Sequence, residues 1–124
     1  MAVELDNKNL KVIKLGTGEI IFSKVLVGGK NDGYLELHWP MKLLMKFNID
    51  EKSTQLALLK WLPFTDTTTI PLAARCIMAV SDLGIEYQEF YLKSVKEDST
   101  HTQDQELNKM SKILADFEPN GYMN

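Results

Sequence analysis

The sequence predicts a mainly β domain with α+β character: five short strands around a barrel-like core, followed by C-terminal helices. Three observations carry this. Short apolar runs separated by glycine, asparagine and proline turns fill residues 10 to 80. Helical spacing of apolar residues begins only after residue 80. The 124 residues suit one domain with a single core.

The first two strands form a hairpin. Leu10 to Leu15 and Ile20 to Val27 are apolar runs on either side of Gly16-Thr17-Gly18-Glu19, a glycine turn. The second run is apolar on both faces, with Ile20, Phe22 and Leu26 on one and Ile21, Val25 and Val27 on the other. Such a strand has to be covered on both sides, inside a small closed barrel or at a subunit contact. Gly28 to Gly33 is a loop suited to positive φ. Tyr34 to His38 alternates as a third strand, and Trp39-Pro40 interrupts the ladder because proline has no amide hydrogen. A bend is expected there, after which Met41 to Phe47 resumes the extended pattern.

Asn48 to Ser53 makes the next turn, and Gln55 to Trp61 is the fourth strand. Pro63 to Thr68 reads as a polar loop. Thr69 to Leu72 and Arg75 to Val80 together give the fifth extended stretch. Ser81 or Asp82 is placed to cap a helix on which Leu83, Tyr87, Phe90, Tyr91 and Val95 line up, ending near Lys96. Glu97 to Thr102 reads as a polar linker. Leu107, Met110, Leu114 and Phe117 then mark a second amphipathic helix, and residues 119 to 124 are expected to fray. The division is therefore 1–96, a barrel with its first helix, and 97–124, a linker, a helix and a tail.

Hydrophobic residues at 44% and charged residues at 25% exclude collagen-like and disordered classes, and no apolar run approaches the roughly 20 residues of a membrane-spanning helix. The N-terminal residues lack a basic start and an apolar stretch, so a cytoplasmic location is expected. The net charge of -3 divides unevenly. Residues 1 to 80 hold ten basic and eight acidic side chains, a balance of +2, while residues 81 to 124 hold four and nine, a balance of -5. A basic strand region with an acidic helical region is compatible with binding nucleic acid on one face.

Catalytic chemistry has little to stand on. The single cysteine, Cys76, lies in a strand pattern and reads as a small buried hydrophobe, and His38 and His101 belong to no recognisable motif. Two histidines and one cysteine are too few for a structural zinc site. Asp50-Glu51 and Glu97-Asp98 are adjacent carboxylates in polar turns, poorly arranged for acid-base work. Gly16-Thr17-Gly18 lacks the Gly-Lys-Ser/Thr ending of a phosphate loop. No enzyme and no cofactor are expected.

Binding of unpaired nucleic acid needs cations for phosphates and flat groups for base stacking. Lys42, Lys60 and Arg75, with Trp61 at a strand end and Asn31 in the glycine loop, supply both, so these five are the candidate binding residues. Trp39 and Trp61 are equally suited to the core of so small a domain.

The run Val12 to Val25, with Gly16-Thr17-Gly18-Glu19 at its centre, resembles the opening hairpin of Sm-like (LSm) proteins. Lys14 to Glu19, Trp39-Pro40-Met41, Lys60-Trp61-Leu62-Pro63-Phe64 and Thr69-Ile70-Pro71 look most like the small Sm-like proteins of marine cyanophages and related tailed phages. The resemblance spans residues 10 to 80 loosely. It implies a strongly bent five-stranded sheet forming a small open barrel, and homo-oligomeric rings in which neighbours pair by edge strands. It also implies binding of single-stranded RNA or DNA. Asn31-Asp32 occupy a loop corresponding to the family's uridine-reading loop in a different order, and Arg75-Cys76 lacks the family's glycine. The helices follow the barrel here, whereas in the family a helix usually precedes it. The alternative expectation is an oligomeric scaffold that binds host proteins and no nucleic acid.

Overall fold

The computed structural model describes residues 5–26, 33–100 and 103–117. It contains strands β1 (Leu10–Leu15), β2 (Ile20–Val25), β3 (Tyr34–Asn48), β4 (Ser53–Lys60), β5 (Thr69–Ala73) and β6 (Ile77–Asp82), then helices α1 (Ile85–Ser99) and α2 (Gln103–Phe117). A single antiparallel sheet runs in the order β4-β3-β2-β1-β6, with β5 paired to β3. The sheet is not closed, since β5 pairs β3 and β6 pairs β1 but neither pairs the other.

There are thus six strands where the sequence predicts five. The fifth stretch is divided by a 3-10 turn at Ala74–Cys76, where the chain passes from one edge of the sheet to another. That turn is bonded to both edges: Ala74 N–H donates to Gly33 O at 2.8 Å, and Gly16 N–H donates to Cys76 O at 2.9 Å. Cys76 is exposed rather than buried, because it lies on this turn and not within a strand.

β3 is continuous through Trp39-Pro40. Phe22 pairs with Met41 while Lys24 pairs with His38, so Trp39 and Pro40 together oppose Ser23 in a β-bulge, and Trp39 takes a left-handed φ of 57°. One extra residue reverses the side-chain parity of the strand. Leu35 and Leu37 pack with Ile13, Leu15, Ile21, Val25 and Leu72 on one face. Trp39, Met41 and Leu43 pack with Leu10, Phe22, Leu58, Leu83, Tyr91 and Val95 on the other.

The second face is covered by α1 of the same chain, which accounts for the two-sided apolar pattern of β2 without a neighbouring subunit. Tyr91 and Val95 of α1 are fully buried there, each worth roughly 1.5–3 kcal/mol of apolar burial. The Tyr91 hydroxyl also enters the bulge. It donates to Trp39 O at 2.8 Å and accepts from Lys24 N–H at 3.2 Å. Burial holds its pKa well above the ordinary tyrosine range.

Both helix boundaries differ from those read from spacing. Ser81 and Asp82 end β6, so the helix starts at Ile85 behind Gly84 and without a side-chain cap. At its other end α1 continues through Ser99, and Asp98 is buried against Lys109 of α2. The stretch 97–99 is therefore helix with a buried anchor rather than solvated linker. α2 also reaches the sheet, where Lys46 Nζ donates to Asp116 O at 2.9 Å. Residues 28–32 of the expected glycine loop, Asn31 among them, and the expected frayed tail lie outside the described residues. No helix among the described residues is long and apolar enough to cross a membrane.

Candidate nucleic-acid interface

The ladder between β3 and β4 decides where the candidate cations point. Lys42 pairs with Ile21 on one side and Leu59 on the other, and Ile21 belongs to the face opposite α1. The ladder continues past β4, with Trp61 N–H donating to Pro40 O at 3.1 Å. Trp61 therefore sits two residues along from Leu59, on the same face and diagonally beside Lys42. It is half-buried against the apolar cluster of that face, with Ile77 and Leu35.

Lys60 pairs with Met41, which places it on the α1 face. It is half-buried and its ammonium donates to Thr65 O at 2.7 Å, tying down the loop that follows β4. Lys42 and Lys60 are thus on opposite faces of the sheet, although eighteen residues of sequence and a simple strand count make them look equivalent.

Arg75 is exposed on the 3-10 turn. That turn touches the β1–β2 turn through Gly16 N–H and Cys76 O, and the same β1–β2 turn carries Glu19, whose carboxylate is 3.4 Å from the Lys42 ammonium. Lys42, Trp61 and Arg75 accordingly gather around one end of the sheet, with Glu19 among them. Asn31 lies outside the described residues.

The electrostatics leave Lys42 available. Its side chain is 39% exposed and that of Glu19 32%, and an ion pair so open to water is worth at most about 1 kcal/mol. A phosphate can replace the carboxylate at small cost, and the guanidinium of Arg75 offers a second, bidentate contact.

Two residues of this region escaped the reading of the sequence. Glu19 was legible only as part of a turn, because its partner is twenty-three positions away. Phe64 stands in the loop after Trp61, 60% exposed and at a left-handed φ of 71°, an uncommon conformation for a bulky residue. An exposed aromatic ring offers a flat surface on which a base can stack. Its sequence signals were the preceding proline and its place at the end of the Lys60 to Phe64 run.

His38 faces the other side, its Nδ1 3.1 Å from Thr69 Oγ1. Burial first and the nearby Lys24 second hold its pKa below the usual histidine value of 6.5. Among the described residues no group of three His, Cys, Asp or Glu side chains is placed to hold a metal ion. The chain matches no protein-family model and no curated protein.

Proposed function

We propose that the protein is a ring-forming, Sm-like nucleic-acid-binding module of phage origin that works in the host cytoplasm on single-stranded RNA or DNA, without catalytic activity of its own. The observation that carries the reading is the joint placement of Lys42, Trp61 and Arg75 at one end of the sheet, two cations and an indole, with Phe64 exposed in the adjoining loop. The cations neutralise phosphates and the rings stack bases. The Ala74–Cys76 turn, which carries the chain from β5 beside β3 to β6 beside β1 at the other end of the sheet, supports a barrel of the Sm-like kind. Its unpaired edges support assembly into a ring.

The test is a fluorescence titration of single-stranded RNA and DNA across salt. Binding that weakens steeply with salt supports the reading, and absence of binding at low salt refutes it. One observation favours the scaffold reading as the second choice: Met45, Phe47 and Ile49 are exposed near the tip of the β3–β4 hairpin, an apolar strip suited to protein contact.

A further inference from the structure

The face that carries Lys42 and Trp61 continues along the β3–β4 hairpin. From Met41 to Asn48 the ladder with β4 has no register shift, so Lys46 keeps the parity of Lys42 and stands on the same face, about 13 Å farther toward the hairpin tip. The β2–β3 ladder ends at the Ile21–Lys42 pair, so at Lys46 the strand is flanked by β4 alone. The Lys46 ammonium is nevertheless engaged. It donates to Asp116 O, at the carboxyl end of α2, at 2.9 Å.

That helix end draws a cation for two reasons. Its terminal carbonyls are the negative end of the helix dipole, roughly half an elementary charge, and the last turn holds Asp116 but no basic residue. Lys46 supplies the missing charge from the sheet. The hold is weak, because the bond is exposed to water and, among the described residues, neither apolar cluster of the sheet includes a residue of α2. Leu107 and Leu114 stay exposed, and the ion pair of Lys109 with buried Asp98 ties the helix down in its amino half. A 15-residue helix with so little packing is marginally stable in water.

We propose that Lys46 is a third phosphate contact of the nucleic-acid site, contested by the carboxyl end of α2, so that binding a single strand and docking this helix oppose each other. The role rests on the reading of Lys42, Trp61 and Arg75 as that site. A strand stacked at Trp61 and neutralised at Lys42 runs on toward Lys46, where a phosphate brings a full charge against the partial charge of a helix end. The coupling is reciprocal: α2 weakens binding by the factor by which the strand weakens the docking of α2. Where α2 holds Lys46 in about nine molecules of ten, its release tightens binding by up to about tenfold.

The test is a titration of a fluorescent single-stranded oligonucleotide, at low salt, with the full chain and its Lys46→Ala, Ser111→Pro and doubly substituted variants, with circular dichroism to check folding. Ser111→Pro breaks α2 in its middle without changing charge. It is expected to tighten binding about three- to tenfold, and to change nothing when Lys46 is already alanine. Lys46→Ala alone is expected to cost less affinity than it does beside Ser111→Pro. Hydrogen exchange on the unmodified chain decides the matter if Ser111→Pro misfolds: the α2 amides are expected to exchange faster with the oligonucleotide bound. A Ser111→Pro gain that persists without Lys46, no gain at all, or α2 exchange that the oligonucleotide leaves unchanged or slows overturns the contest for Lys46, while binding that Lys42→Ala weakens leaves the site itself standing. A parent that does not bind overturns both.

Discussion

The two halves of β3 carry the same sequence pattern and do opposite things. From Leu35 to Phe47 every odd residue is apolar, yet Leu35 and Leu37 point to the face opposite α1 while Trp39, Met41 and Leu43 point toward it. The only difference is the bulge between them, one residue long. It lets a single strand supply both faces of a small sheet, and it sets Lys42, with Trp61 beside it, on the face of Leu37. The halves also differ in cover. The first lies between β2 and β5, while the second runs out beyond β2 with β4 beside it, so Met45 and Phe47 emerge from the sheet exposed.

The largest way to break this comparison is to delete Pro40. The deletion removes the extra residue, so strict alternation turns Trp39 to the face of Leu37 while Met41 and Leu43 keep theirs. The α1 face loses its indole and the carbonyls that the Tyr91 hydroxyl binds are displaced, so loss of the cooperative unfolding transition is expected in thermal denaturation. Trp39→Ala keeps the chain length but empties a buried site, and about 3–5 kcal/mol of stability should be lost in urea unfolding. Tyr91→Phe removes only the hydroxyl that bonds Trp39 O and Lys24 N–H. About 1–3 kcal/mol is expected, because buried backbone groups lose a partner.

Smaller effects sharpen the picture. Folding favours neutral His38, so its contribution is present above the unfolded pKa of 6.5 and is lost as pH falls toward the lower folded value. His38→Gln should therefore flatten the decline of melting temperature below about pH 6.5. At the exposed end of β3, Phe47→Ser should change stability by no more than about 0.5 kcal/mol.

Much of the β architecture was legible because period-two alternation and turn residues are local signals. The β1–β2 hairpin at Gly16 to Glu19, the break between Asn48 and Ser53 and the helical spacing of Tyr87, Tyr91 and Val95 all correspond to observed elements. What escaped is non-local. No pattern within Arg75 to Val80 shows that β6 pairs β1 while Thr69 to Ala73 pairs β3, since strand partners are chosen by the whole sheet. Asp98 reads as a solvated charge until Lys109 is brought beside it. The candidate site was half legible for the same reason. Lys42, Trp61 and Arg75 come together, but Lys60 was grouped with them on proximity in sequence, and ladder parity sends it to the far face.

That parity gives the most direct test of the account. Binding of a fluorescent single-stranded oligonucleotide should be measured across a salt series for the parent and for Lys42→Ala, Arg75→Ala and Lys60→Ala. The first two are each expected to weaken binding to all sequences and to lower the slope of log affinity against log salt by about one, while Lys60→Ala leaves that slope unchanged. A parent that does not bind, or a Lys60→Ala loss as large as that of Lys42→Ala, would contradict the assignment of the site to one face of the sheet.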